Sequence, residues 1–279
     1  MPEQREDPDD NPGSLICDLL REIIPAPGND RSSFVHRADE FAGANGELES
    51  LIHESTIHYL LRRLITFARY LYRKRRAEGL LDWERLFLED LRKRLVDRFS
   101  TPERLLEKFV SLLGAAVRTA EAESRAKGEK REAQKDFKRG ETLRCYICGE
   151  VYTENDLTHE HVWPRTVGGA DARHNFKPAC TACNNMKADA LGAPDFHYER
   201  MSYISLTYED LKRREWGKEK NRAWLAMQSR TDFRCAHCKK PAVFVGGLQL
   251  ARLDRDDNWH FLNVAAFCPH HLSRPGRRA

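Results

Sequence analysis

The stretch HEHVWPRTVGGADARHNFKPACTACNNMK, residues 159–187, decides how this sequence is read. It places three histidines, three asparagines and a Cys-x-x-Cys within fewer than thirty residues. What lies on either side gives the crowding its meaning. "CYIC" supplies Cys145 and Cys148 ahead of the stretch, and "CTAC" supplies Cys180 and Cys183 inside it. Two such pairs about thirty residues apart are a zinc signal, because each pair can hold two corners of a tetrahedron from one tight turn. Four thiolates close the coordination sphere, so an ion there is structural. It would fix the ends of the intervening hairpin without a large core.

A second cluster follows, with Cys235 and Cys238 in "CAHC" and then "CPHH" at 268–271. In both clusters an Asn stands five residues before the third ligand, Asn175 before Cys180 and Asn263 before Cys268. In both, the fourth ligand comes three residues after the third. The spacing therefore predicts an internal repeat of one zinc unit, whose second copy uses Cys235, Cys238, Cys268 and His271, with His270 as the competing ligand. The second hairpin, "AVFVGGLQLARLDRDDNWHF", has no acid–His pair. Gln249 or Ala251 falls near the position of His161, depending on which cysteine pair anchors the alignment. The second copy reads as degenerate.

Six of the eight cysteines lie in three Cys-x-x-Cys pairs, a usage that favours metal in a reducing compartment over disulfides. No apolar run approaches the roughly 18–20 residues that span a bilayer, and "MPEQREDPDDNPGS" is unlike a secretory signal. A cytoplasmic protein with no membrane association is expected. The net charge of +4 is unevenly spread: residues 1–60 carry 13 acidic and 4 basic side chains, a net of −9, which leaves +13 for the remainder. That excess, visible in "RKRR" at 73–76, along 125–144 and in "RPGRR" at the tail, suits a polyanion partner. Solvated helix faces account equally well for any single run.

Residues 1–14, polar and rich in Asp and Pro, read as disordered. From about residue 47 apolar side chains recur every three or four positions (Leu51, Leu60, Leu61, Leu64, Ile65, Ala68, Leu71), which predicts a helix. A second helix is expected in "LLDWERLFLEDLRKRLVDRF", and a third from a capping box at Ser100 and Glu103. Past about 140, short strands, glycine turns and cysteine pairs take over. The expected segments are an acidic, partly disordered 1–46, a helical domain 47–140, a zinc-bound core 141–195, and a helix plus second zinc unit 196–279. The fold class is α+β.

From Cys145 to Lys187 the order is Cys-x-x-Cys, acid-His, Pro-Arg, Gly-Gly, His-Asn, Cys-x-x-Cys-Asn and a Lys three residues on. This order resembles the HNH endonucleases, which share a ββα-metal fold, over roughly residues 145–190. The resemblance implies that His161 is the general base for the attacking water, and that Asn175 braces the hairpin and orients it. It implies that Glu160 and Asn184 hold a catalytic Mg²⁺ or Mn²⁺. The family usually has Asp where Glu160 stands, and often His where Asn184 stands, which makes this an H-N-N variant. It further implies a treble-clef-like form for the second, degenerate zinc unit. Chemistry reaches the same roles, since phosphodiester hydrolysis needs a base near neutral pH and a cation on the developing charge. Neighbours on a strand point to opposite faces, so a metal ligand at 160 and a base at 161 require a twist or bulge. His159, on the same side as His161, is the alternative base. Arg165 and Lys187 are candidate phosphate contacts. The expected function is a DNA endonuclease, nicking duplex DNA, of a type suited to restriction or phage defence, with the helical region available to a protein partner. The alternatives are a zinc-stabilised nucleic-acid-binding or adaptor module without turnover, and a nuclease acting on RNA.

Overall fold

The computed structural model of the protein describes residues 11–26, 34–41, 46–96, 103–122, 142–195, 202–203, 222–257 and 259–272. The chain combines helices with small two-stranded sheets, and its N-terminal region is helical. The helices there are α1 (Pro12–Ile23), α2 (Phe34–Phe41), α3 (Glu47–Ala77), α4 (Trp83–Val96) and α5 (Glu103–Glu121). After them come β1 (Thr142–Arg144), β2 (Val151–Thr153), β3 (Leu157–His161), β4 (Phe176–Cys180) and α6 (Thr181–Lys187). The chain continues with β5 (Ser202–Tyr203), α7 (Arg222–Ser229), α8 (Ala242–Val245), β6 (Gln249–Arg252), β7 (Trp259–His260), β8 (Val264–Phe267) and α9 (Pro269–Leu272). The sheets pair β1 with β2, β3 with β4, β5 with β7 and β6 with β8. Residues 1–10, Ser100, the charged run up to 141 and the basic tail lie outside the described residues. Among the described residues no helix is long and apolar enough to cross a membrane.

The chain divides into two compact units, one of residues 1–28, 53–133 and 161–176, the other of 29–52, 134–160 and 177–279. In the first, α3 buries Ile57, Leu61, Leu64, Ile65 and Ala68 at helical spacing, as the sequence pattern predicts. α5 lies against both α1 and α4. α1 starts at Pro12, inside the stretch that reads as disordered. Proline suits a first turn because its missing N–H would have no partner there, and Ile16, Cys17, Leu19 and Leu20 are buried.

The segment 161–176 belongs to this helical unit and is tied to it by backbone. Gly13 N–H donates to Gly168 O at 3.2 Å, and Ala170 N–H donates to Asn11 Oδ1 at 2.9 Å. Gly168 has φ +83°, and a Cβ there would sit 2.8 Å from the Ala116 methyl. Both the turn and the close approach therefore require glycine.

The second unit has its own core, which includes Ile147, Ala179, Leu225, Met227, Val264 and Phe267 together with the knuckle cysteines. α7 packs on α6 and on β8. The half-buried Arg230, just past α7, donates to the carbonyls of Phe261 and Val264 and pairs with Glu47. These bonds satisfy backbone groups that would otherwise be buried alone.

Candidate active site

The two cysteine clusters are built the same way. In the first, Cys145 N–H donates to Glu150 O (3.0 Å), Gly149 N–H to Cys145 O (2.8 Å) and Tyr146 N–H to Pro178 O (2.9 Å). In the second, Cys235 N–H donates to Lys240 O (3.0 Å), Lys239 N–H to Cys235 O (2.9 Å) and Ala236 N–H to Ala266 O (2.8 Å). Gly149 at φ +72° and Lys239 at φ +60° occupy the same left-handed corner. The ligand atoms of Cys145, Cys148, Cys180 and Cys183 lie within 4.8 Å of one another, as do those of Cys235, Cys238, Cys268 and His271. His271 Nδ1 is 3.1 Å from Cys268 Sγ, whereas the side chain of His270 is exposed and outside the cluster.

Cys145, Cys148 and Cys183 share protons at this distance. Hydrogen bonds from Cys148 and Cys183 hold Cys145 down to about 2. The same sharing pushes Cys148 up to about 12 and raises Cys183 as well. A divalent cation would take the place of the shared protons. The donor set fits such an ion, and both clusters can hold a metal.

Strand β3 carries the acid–His pair, and its alternation sends the two side chains to opposite sides. Thr158 and Glu160 share one face of β3. They meet Asn184 and Lys187, which lie one turn apart on α6. Glu160 is 2% exposed. Its Oε1 receives the Lys187 ammonium at 2.8 Å, and its Oε2 accepts the Tyr146 hydroxyl at 2.6 Å. Burial pushes the Glu160 pKa up, against the pull of Lys187 and Tyr146. Asn184 Nδ2 donates to Thr158 Oγ1 at 2.8 Å, which turns the amide so that Oδ1 remains as its acceptor. The sequence placed Lys187 at a phosphate; in the structure it is 5% exposed and bound to Glu160. Both carboxylate oxygens of Glu160 are thus engaged, one by Lys187 and one by Tyr146.

His161 has a different partner. Its Nε2 lies 2.7 Å from Asp171 Oδ1, and its ring packs on Phe176 with centroids 4.5 Å apart. Arg165 Nε stands 3.3 Å from the same Asp171 oxygen. Its Nη2 donates to the carbonyls of Thr119 and Ala122 at the end of α5, at 3.1 and 2.7 Å. Arg165 therefore ties the loop to α5 where the sequence suggested a phosphate contact. Asn175 is 1% exposed and uses its whole amide. Oδ1 accepts Trp163 N–H at 2.7 Å, and Nδ2 donates to Trp163 O and Ala170 O at 2.8 and 2.9 Å. His159 stays half-buried on β3.

Asp171, Tyr146 and Thr158 were not singled out by the sequence. Asp171 sits ten residues past His161 in a turn after Gly168-Gly169, where an acid signals turn chemistry first. Tyr146 and Thr158 are recognisable only once β3 and α6 are placed.

The second copy repeats the asparagine lock. Asn263 Oδ1 accepts Asp254 N–H at 2.8 Å, its Nδ2 donates to Asp254 O at 2.9 Å, and its carbonyl accepts Leu253 N–H at 2.7 Å. The last bond matches Val162 N–H to Asn175 O at 2.8 Å. Asp254 thus corresponds to Trp163, Arg252 to His161 and Ala251 to Glu160. Counting from the cysteines had put Gln249 or Ala251 opposite His161; the lock puts Arg252 there. The second copy has neither acid nor imidazole at these positions.

No curated protein and no solved structure matches the chain. Between its first knuckle cysteine and Pro194, however, residues 145–194 match the model of the HNH endonuclease family, which points this segment to nuclease chemistry.

Proposed function

We propose that this protein is a metal-dependent endonuclease of HNH type that hydrolyses phosphodiester bonds of duplex DNA one strand at a time. The observation that carries the reading is the 2.7 Å pairing of His161 Nε2 with Asp171. A carboxylate only accepts, so the neutral ring keeps its proton on Nε2 and its lone pair on Nδ1. Nδ1 takes the proton of the attacking water, and Asp171 stabilises the imidazolium that results. Asn175 holds the backbone on both sides of the loop and so fixes the direction of the ring.

Glu160 and Asn184 are the residues that would hold Mg²⁺ or Mn²⁺, through a carboxylate and an amide oxygen. Such an ion supplies positive charge to the phosphorane and to the leaving oxygen. Lys187 neutralises Glu160 through their 2.8 Å pair, and a cation held by Glu160 would take over that charge. Zinc in the two cysteine clusters has no open position and serves the fold. The helical region, residues 47–140, targets the nuclease core at 141–195, and 196–279 carries the second zinc unit.

Incubation of the purified protein with supercoiled plasmid and Mg²⁺ or Mn²⁺ tests this. One complete set of Glu160, His161 and Asn184 per chain should give open-circle product first, and linear product only as separate nicks accumulate. Linear DNA without an open-circle lag at low protein concentration would instead indicate two sites acting together, as in a two-fold dimer. The seating of Lys187 on Glu160 favours one other reading, a nucleic-acid-binding module without turnover. A chain that binds DNA and cleaves none with either ion would establish that reading.

A further inference from the structure

The outer face of α3 carries groups that the helical fold does not use. Its inner face already buries Leu61, Leu64, Ile65, Ala68 and Leu71. Outside, Tyr59 is 59% exposed and Tyr70 is 62% exposed, large rings held in water on a helix whose packing is complete without them. Residues 59, 63, 66, 70 and 74 recur at helical spacing and so share one face. Two grooves run along it. One, of about 790 Å³, includes Tyr59, Arg62, Arg63, Tyr70 and Arg94 in its walls; the other, of about 480 Å³, includes Tyr70, Arg73 and Lys74. They meet at Thr66 and Tyr70 and span about 22 Å of helix.

Among the described residues that line the two grooves there is no carboxylate. The nearby Glu121 is bound by Arg69 at 2.7 Å and Arg73 at 2.9 Å, so it does not offset the charges of Arg63, Lys74 and Arg94. Cations at this spacing suit a row of phosphates, and flat exposed rings suit unstacked bases. A duplex hides its base faces in the stack and could use only the charges. We propose that the outer face of α3 binds single-stranded nucleic acid, with Tyr59 and Tyr70 stacking on bases and Arg63, Lys74 and Arg94 on the phosphates. This assigns the helical region a ligand of its own, beyond the duplex substrate of the nuclease segment.

The test is fluorescence anisotropy on the full chain carrying His161→Ala, without added divalent ion, so that binding is measured apart from cleavage. The probes are labelled oligothymidine and oligouridine of about fifteen nucleotides, which also separate DNA from RNA. The pair Tyr59→Ala, Tyr70→Ala should weaken binding at least tenfold with unchanged circular dichroism. The triple Arg63→Ala, Lys74→Ala, Arg94→Ala should do the same and flatten the dependence of log Kd on log salt by about 2, at roughly 0.7 per phosphate contact. A duplex of the same length should compete at least tenfold less well. Affinity within twofold of the parent chain for either variant set overturns the proposal, and so does equal competition by the duplex. Failure of the plasmid assay leaves these outcomes untouched, because none of them needs turnover.

Discussion

The two cysteine-knuckle hairpins share a backbone and differ in the side chains they carry. Both turn at a left-handed residue, Gly149 or Lys239, and both lock the strand exit with a buried asparagine, Asn175 or Asn263. Where the first has Glu160 and His161, the second has Ala251 and Arg252. The first leads into the seven-residue α6, which brings Asn184 and Lys187 to β3; the second ends in the four-residue α9. Knuckle and lock are thus what the two hairpins have in common, and the acid–His pair is where they part.

The largest expected effect comes from breaking what the copies have in common. Each chain should carry two zinc ions, and Cys180→Ser or Cys268→Ser should each remove one. Structural zinc contributes on the order of 10 kcal/mol to small domains, so each variant should also lose the ordered core around its site. Elemental analysis of protein purified without chelator checks the count, and a value of one or none would sink the parallel between the clusters.

Next comes the position at which the copies diverge. His161→Ala should lower the nicking rate about 10²–10⁴-fold, with zinc content and circular dichroism unchanged. Arg252→Ala, at the corresponding place, should cleave like the parent chain. If His159→Ala is inactive while His161→Ala nicks normally, the base has been misassigned.

A third contrast concerns the buried ion pair, which has no counterpart beside Ala251. Lys187→Met leaves Glu160 buried without its counter-charge and should cost about 3–5 kcal/mol in urea unfolding. Adding Glu160→Gln should restore part of the loss. A cost under about 1 kcal/mol, or no restoration, would mean that the pair does not stabilise the β3–α6 seam.

The smallest effect should be equal in both copies. Asn175→Ala and Asn263→Ala each strip partners from buried backbone groups and should cost about 1–3 kcal/mol of stability. Only the first should also slow nicking. Equal slowing by both would show that the locks act through global stability alone.

The sequence made the scaffold legible, because ligand spacing is a covalent constraint and helical periodicity survives any tertiary context. Cysteine pairs, asparagine positions and the long α3 could all be read from it. The partners across space could not. Asp171 reaches His161 through a loop whose path depends on Asn11, Gly13 and α5. Lys187 reads as an exposed charge until the placement of α6 buries it on Glu160. Counting back from the second cysteine pair slips to Gln249 because Asn263 is nine positions past Asp254, where Asn175 is twelve past Trp163. Counting forward from the first pair slips to Ala251 because Arg252 is seventeen positions past Cys235, where His161 is sixteen past Cys145. Counting from cysteines carries these differences into the strand, whereas hydrogen bonds do not.

The anchoring of residues 161–176 on α1 and α5 sets a limit on dissection. A fragment beginning at residue 141 would keep every zinc ligand and every residue of the family's motif. It would nevertheless sever Gly168 from Gly13, Ala170 from Asn11 and Arg165 from the end of α5. The loop that carries Asp171 would then have to find its shape unaided. This segment is not a portable cassette: its shortest transplantable form has to include α5 and also α1, which is encoded more than a hundred residues upstream.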